Sequence, residues 1–214
     1  MSIMDNTTPA SDRSEPIPVN RFALFSETLL AGLLVLVLSI PLVTIPAAYA
    51  AGIAHLERHL SGRDDTVRSL WTTFRAALPG SWRLGITTAG AAVVIILNLL
   101  LATVGQLPGS AVVLPATLVL AVAGAILLLR TAASWSDFAW SDVEGGESTP
   151  STAWSTAFAT AKAVSLRDWT GSLLLASALF AAVVFVWMLT ALFVVVPGTL
   201  ILAAAAVKMR STRA

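Results

Sequence analysis

Three long stretches of this chain contain no charged residue and no histidine, and they limit the possible folds more than any other feature. They cover residues 28–54, 84–129 and 169–207. A helix that crosses the hydrocarbon core of a bilayer needs roughly 20 apolar residues. The second and third stretches are each long enough for two such helices. The pattern therefore predicts an all-α membrane protein with several transmembrane helices.

The overall composition agrees with this class. Charged residues make up 12% of the 214 residues, about half of the roughly 25% that is usual in soluble domains. The chain has no cysteine, which excludes disulfides and thiolate metal sites. The basic residues alternate with the apolar stretches, so they are interpreted as topology signals and not as a nucleic-acid surface.

Proline and glycine predict where the helices end. Pro108 and Gly109 lie at the centre of the second stretch, where they stop one helix and permit a reversal. In the third stretch a break near 190–192 is favoured, because a turn at Pro197 leaves too few residues for a last span. One membrane domain, residues 21–209, is predicted between a disordered tail at 1–20 and a short tail at 210–214. Its five spans cover about 22–41, 83–105, 110–130, 169–189 and 191–208.

The first stretch has two interpretations, because Pro41 and Pro46 interrupt it. The favoured one is a single span that ends at this break, followed by a helix that emerges into the cytoplasm. The alternative is a broken re-entrant hairpin, which would place the N-terminus on the other side. Ala48 and Ala50 mimic a signal-peptide cleavage site. However, the apolar run that precedes them is longer than the apolar region of a usual signal peptide. The segment at the N-terminal side of this run is also long and acidic. Cleavage is therefore not predicted.

The distribution of basic residues predicts the orientation. Lys and Arg in short loops favour the cytoplasmic side, and the two predicted outer turns contain neither. Five spans place the N-terminus outside and the C-terminus inside a bacterial cytoplasmic membrane. The basic residues that then face the cytoplasm are Arg58, Arg63, Arg68, Arg75, Arg83, Arg130, Lys162, Arg167, Lys208, Arg210 and Arg213.

Two cytoplasmic segments have the pattern of amphipathic helices with aromatic residues. In residues 64–78, Trp71 and Phe74 recur on one face with Arg75 beside it, and Pro79-Gly80 is expected to end the helix. Such a helix lies in the headgroup layer or docks a partner protein, and both readings stay open. A similar order of capped aromatic helix, boundary Trp and two spans follows Thr149, which suggests a parallel two-fold repeat. Residues 135–147 are expected to form an acidic connector between the halves.

Few residues suggest chemistry. His55, Glu57 and His59 invite a metal interpretation, but Leu56 stands where the zinc-protease motif needs Glu, so no metal is predicted. No phosphate loop or catalytic triad pattern occurs, and neither an enzyme nor a cofactor is predicted. Ionisable residues, which mark functional sites within membrane spans, are almost absent from the expected spans. Glu27 is placed near the outer end of the first span, where water or headgroups can reach it.

Two polar residues in the apolar stretches remain as candidates. Asn98 lies deep in the second span and is expected to bond to another helix. Thr44, between the two prolines, is either part of an ordinary helix end or beside exposed carbonyls that line a transport site. The full set of candidate functional residues is Thr44, Pro46, Trp71, Phe74, Arg75 and Asn98.

Residues 39–86 resemble the N-terminal half of the YesL-like family of bacterial membrane proteins. The resemblance rests on Pro41, Thr44 and Pro46-Ala47 at the break, and on Leu70-Trp71, Phe74 and Arg75 in the aromatic helix. The glycine expected after Thr44-Ile45 is missing, and beyond this segment only the layout agrees. The resemblance implies a protein of similar size and span number that is associated with carbohydrate ABC importers.

The resulting hypothesis is a non-enzymatic multi-pass membrane protein that is accessory to carbohydrate ABC import. Its expected partners are the lipid bilayer and the membrane subunits of the importer, and no oligomeric state is predicted. The alternative is a small oligomeric transporter or channel that uses the 41–46 break and Asn98. Solute flux through reconstituted vesicles distinguishes the two.

Overall fold

The computed structural model describes residues 21–62, 66–104, 109–141, 150–188 and 196–211, and every regular element in these ranges is helical. The predicted tail at 1–20, most of the turn around Pro108 and the predicted break at 190–192 lie outside them. Of the predicted tail at 210–214, residues 212–214 lie outside the described ranges, and 210 and 211 belong to the last helix. A short 3-10 helix covers Leu42–Thr44. The α-helices are α1 (Arg21–Leu38), α2 (Ile45–Leu60), α3 (Val67–Thr103), α4 (Ser110–Ser141), α5 (Pro150–Arg167), α6 (Trp169–Met188) and α7 (Val196–Ser211).

Within the described residues, three helices are long and apolar enough to cross a membrane. They lie in α3 (Val67–Ala102), in α4 (Ala111–Asp137) and in α6 (Trp169–Met188). Most of their side chains face outward although they are apolar, which suits a lipid environment and not water. The prediction of an all-α membrane protein is therefore confirmed. The shorter α1 is also apolar over Leu24–Leu38.

The centre of the bundle is α2, which the sequence favours as a helix that emerges into the cytoplasm. Every residue from Ala50 to Glu57 is buried, and α2 packs against α1, α3, α4 and α7. Its alanines and Gly52 allow this because small side chains let helix backbones approach closely. The chain reverses at the 3-10 helix and runs back along α1, so α1 and α2 form a helical hairpin. The alternative interpretation also contains a hairpin at this break; whether it is re-entrant in the membrane stays a prediction.

The second difference concerns α3, which continues through Pro79-Gly80 as one helix of 37 residues. An internal proline removes a backbone hydrogen bond and costs about 3 kcal/mol. Packing on both sides of Pro79 offsets this cost, since Phe74 and Ala77 before it and Ser81 after it are buried. The predicted separation between an amphipathic helix and a span at 83 is therefore wrong in this half of the chain.

One further boundary differs from the sequence expectation, and another lies outside the described residues. The acidic connector predicted from residue 135 is helical as far as Ser141, where α4 ends, because Trp135 and Ser136 are buried against neighbouring helices. The predicted start of the last span at 191 lies outside the described residues, and α7 is described from Val196 onward. Pro197 lies in its first turn, where a proline needs no hydrogen-bond partner for its nitrogen.

The two proposed repeats are unequal in the structure. The first consists of the continuous α3 followed by α4, whereas Asp168 separates α5 from α6 in the second. The separation has a local cause, because the Asp168 carboxylate accepts a hydrogen bond from the Gly171 N–H at 3.0 Å and so starts a new helix. The two-fold repeat stays a prediction.

Candidate functional site

The C-terminal half of α2 presents polar side chains to the helices that surround it. Successive residues of an α-helix point about 100° apart, so His55, Glu57 and Arg58 face different neighbours. His55 contacts α1, Glu57 contacts α4 and α7, and Arg58 contacts α3. We call His55, Glu57, Arg58 and the side chains that bond to them the polar hub.

The most connected part of the hub joins α2, α4 and α7. The Lys208 ammonium lies 2.9 Å from Glu57 Oε1, 2.6 Å from the Ser136 hydroxyl and 2.7 Å from Asp137 Oδ1. Ser136 also donates to Glu57 Oε2 at 3.2 Å. The side chains of Glu57 and Lys208 are only 11% and 14% exposed. A buried ion pair needs further hydrogen bonds to offset desolvation; here Ser136 bonds to both partners and Asp137 adds a second contact to Lys208.

The other two contacts of the hub attach α2 to α1 and α3. His55 Nε2 lies 2.6 Å from Glu27 Oε1, and the histidine is fully buried. Arg58 donates to the hydroxyls of Ser69 and Thr73. Glu27 thus faces a neighbouring helix, and its side chain is 21% exposed. Its predicted place near the outer end of the first span stays a prediction. The hub therefore places His55 and Glu57, which lie outside the predicted spans, in the packed interior of the bundle.

A second ion pair lies beside the hub. Arg130 of α4 donates to Asp168 Oδ2 at 3.1 Å and to the Asp168 carbonyl oxygen at 3.2 Å. A cavity of about 120 Å³ separates this pair from Lys208 and Asp137. Residues of α4, α5, α6 and α7 form its walls, so the cavity exists only when all four helices are in place.

Hydrogen bonding lowers the pKa of Asp168. The largest cause is the bond from the Gly171 N–H, and it outweighs the opposing effect of desolvation. The bonds from Thr170 and Arg130 and the positive charge of Arg130 lower this pKa further. Asp168 therefore stays ionised at pH values where a free carboxyl group would begin to take up a proton.

The lowered pKa predicts an acid-dependent loss of stability. The Asp168 carboxylate takes up its proton at a higher pH in the unfolded chain than in the folded chain. The contribution of this carboxylate to the free energy of unfolding is therefore complete above the ordinary pKa of about 3.9. It is lost as the pH falls through the lowered pKa. In unfolding titrations in mild detergent, Asp168→Asn should be less stable than the parent protein at pH 7. The difference should shrink below about pH 4, and a difference that is constant with pH would contradict this.

Thr44 and Pro46 lie together at the reversal between α1 and α2. The Thr44 hydroxyl donates to the carbonyl oxygens of Leu38 and Pro41, both at 2.6 Å, and Pro46 is buried in the first turn of α2. Thr44 therefore satisfies carbonyl groups that the end of α1 leaves free. This contact favours the interpretation of an ordinary helix end over that of exposed carbonyls lining a transport site.

Trp71, Phe74 and Arg75 lie on the first half of α3 but face in different directions. Phe74 is buried, whereas Trp71 is 48% exposed and Arg75 is exposed. The rings of Trp71 and Phe74 are tilted against each other with centroids 5.6 Å apart. Phe74 thus anchors α3 to the core, and Trp71 and Arg75 form an outward surface.

Asn98 is separate from both groups. It lies on the distal half of α3, where it is half-buried between exposed apolar residues. The candidates therefore fall into three places: the reversal, the outward surface of α3 and the distal half of α3. The expected bond from Asn98 to another helix is not among the hydrogen bonds of the described residues.

The polar hub was not predicted as a unit. The sequence singles out His55 and Glu57 only as parts of a metal-type pattern with His59, and Ser136 and Lys208 are far from them in sequence. The available signal was the run of small residues from Ala47 to Ala54, since a helix that is small on all sides packs closely on all sides. Among the described residues, no group of three or more His, Asp or Glu is placed to hold a metal ion.

Comparison with known proteins gives no relative: no protein-family model matches the chain, and neither a curated protein nor a solved structure matches it significantly.

Proposed function

We propose that this chain is a non-enzymatic, multi-pass protein of a bacterial cytoplasmic membrane that binds the membrane subunits of a carbohydrate ABC importer. The observation that carries the proposal is that the hub side chains bond to each other across helices. Glu57 pairs with Lys208, and His55 pairs with Glu27. Such pairs hold helices in a fixed arrangement, as a binding scaffold requires. The YesL-like resemblance of residues 39–86 supports the choice of partner.

The proposed binding surface is formed by the exposed part of α3, which the resemblance also covers. Trp71 presents a large apolar ring beside the exposed Arg75. Tryptophan and arginine contribute more binding energy to protein interfaces than most residues. The opposite side of the same helical segment is fixed, because Phe74 is in the core and Trp154 donates to the Ala77 carbonyl oxygen at 3.0 Å. The partner is expected to offer an apolar pocket next to an acidic group.

Co-purification tests this proposal. The tagged protein, extracted in mild detergent from cells grown on an inducing sugar, should retain importer membrane subunits. Trp71→Ala/Arg75→Ala should reduce recovery of those subunits about tenfold or more, since loss of one central aromatic residue commonly costs 2 kcal/mol or more. The matched control is Phe158→Ala/Lys162→Ala, an exposed aromatic and basic pair on α5 with the same spacing. This control should keep the subunits.

Two outcomes would contradict the proposal. One is recovery of no importer subunit under any inducing sugar. The other is equal recovery with the α3 variant and the parent protein.

The buried charges also favour a second candidate function, a small oligomeric transporter or channel. Ionisable groups inside membrane domains often mark ion or proton pathways, and Glu27, His55 and Glu57 are such groups here. Solute flux into reconstituted vesicles that is lost in Glu57→Gln and unchanged in Arg83→Gln would favour transport. Absence of flux leaves the accessory role as the better proposal.

A further inference from the structure

Asn98 is a polar side chain on the part of α3 that faces lipid. It lies in the second of the three stretches without charged residues. Exposed apolar side chains flank it along the helix, with Val94 and Leu97 before it and Leu101 and Val104 after it. The amide therefore lies within the lipid-facing surface and not at the edge of that surface.

The described part of the chain supplies no hydrogen-bond partner for this amide. The Asn98 side chain is half-buried, and its amide atoms are not among the enclosed polar atoms that lack a partner. The amide thus reaches the outer surface of the bundle. An asparagine amide has two N–H donors and a carbonyl acceptor, and hydrocarbon contains no water to satisfy them. A partner from another chain is therefore needed.

The surface near Asn98 is open to a further helix. Thr87, Ala91 and Asn98 share one face of α3, because residues four and seven apart in an α-helix point in nearly the same direction. Thr87 and Ala91 line a shallow groove of about 180 Å³ together with Gly124 of α4. A Cβ atom on Gly124 would meet nothing within 4 Å. Small residues of this kind let a neighbouring helix approach closely, so a helix that lies along this face can reach Asn98.

We propose that Asn98 joins two copies of this chain in the membrane, with an amide N–H of each copy donating to the amide oxygen of the other. An amide is its own complement, so a second copy always supplies the matching group, which an unrelated helix does not. Two copies inserted in the same orientation place their α3 helices parallel, related by a two-fold axis along the membrane normal. Such an axis makes the contact symmetric, as in most homodimers, and it produces two equivalent hydrogen bonds.

The dimer contact is separate from the surface proposed for the importer. Arg75 and Asn98 lie on opposite halves of α3, about 35 Å apart along the helix axis at about 1.5 Å per residue. A second copy at Asn98 therefore leaves Trp71 and Arg75 accessible. The inference goes beyond the proposed function and does not depend on it.

Replacing the amide with a group of similar size tests the contact. Asn98→Leu has no hydrogen-bonding group, whereas Asn98→Gln keeps the amide. Sedimentation equilibrium of the full chain in density-matched mild detergent measures the Kd of the dimer. We expect Asn98→Leu to raise this Kd about tenfold, which corresponds to two interhelical hydrogen bonds in a membrane. Asn98→Gln should stay nearer to the parent protein.

Cysteine cross-linking locates the contact in native membranes. The chain has no cysteine, so one introduced cysteine reports on a single position. Val94 lies about one turn before Asn98 on the same face of α3. Val94→Cys should form a disulfide between two copies on mild oxidation, since a disulfide needs Cα atoms within about 7 Å of each other.

Ile96 provides the matched control for both measurements. It is 57% exposed against 58% for Val94, but it lies on the opposite side of α3 from Asn98, because two residues along a helix turn the direction by about 200°. Ile96→Ala should leave the Kd of the dimer unchanged. Ile96→Cys should form no disulfide between copies.

Several results would overturn the proposal. One is a parent protein that is monomeric in detergent and is not cross-linked through Val94→Cys in membranes. Equal Kd values for Asn98→Leu and the parent protein are another, and so is an Asn98→Gln variant that dimerises no better than Asn98→Leu, because packing and not the amide would then hold the copies together. Equal cross-linking through Val94→Cys and Ile96→Cys would place the contact elsewhere. None of these measurements needs an importer, so failure of the proposed function would leave them unchanged.

Discussion

Replacing Lys208 with methionine is expected to destabilise the folded protein by about 3–5 kcal/mol, because it leaves the Glu57 carboxylate buried without its cation. The side chain of Glu57 is 11% exposed, and its other donor is the Ser136 hydroxyl at 3.2 Å. A single neutral hydrogen bond does not replace an ammonium group at 2.9 Å. Unfolding titrations with a denaturing detergent in mixed micelles measure the loss.

The corresponding double replacement distinguishes a broken pair from lost packing. In Glu57→Leu/Lys208→Met both charges are removed together, and replacing a buried ion pair by apolar residues is often neutral or stabilising. We expect the double variant to be more stable than Lys208→Met alone. The control is Arg83→Met, which removes an exposed cation and should change stability by less than about 0.5 kcal/mol. A loss below about 1 kcal/mol in Lys208→Met would show that the pair does not hold the helices together.

The second large effect is expected at Gly85, where α3 passes the reversal between α1 and α2. A Cβ atom on Gly85 would overlap the carbonyl group of Val43, and a backbone carbonyl cannot move without moving the 3-10 helix that contains it. Gly85→Ala should therefore cost about 3 kcal/mol, the upper part of the range for overpacked sites. The same unfolding titration measures it.

Gly90 provides the matched control on the same helix. A Cβ atom there meets nothing within 4 Å, and alanine favours a helix over glycine by about 1 kcal/mol. Gly90→Ala should thus leave stability unchanged or raise it slightly, while Gly85→Ala lowers it. If the two variants behave alike, α3 does not approach the reversal as closely as described.

The helical class and the membrane environment could be predicted from the sequence because both depend on local composition. An apolar run of roughly 20 residues indicates a membrane-spanning helix wherever it occurs in a chain. Pro79 and Pro197 show where local rules stop. Pro79 would end an isolated helix, but buried residues on both sides of it hold α3 together, whereas Pro197 lies where a helix starts. Only tertiary packing distinguishes the two positions.

The polar hub could not be predicted for a related reason. Glu57 and Lys208 are 151 residues apart, and no pattern in one sequence connects positions at such a distance. His55, Glu57 and Arg58 look like the solvated end of a helix because polar residues commonly occupy such ends. The small residues before them indicate that other helices surround α2. This indication is weaker than the evidence that a proline gives for a helix end or a charged residue gives for a loop.

The position of α2 has a consequence for how the protein is made. Chains are synthesised from the N-terminus, so Glu57 is produced long before Lys208, its partner on the last helix. Until α7 joins the bundle, the bilayer contains an incomplete protein whose central carboxylate lacks its cation. A variant truncated before α7 is therefore expected to leave the Glu57 carboxylate without its cation.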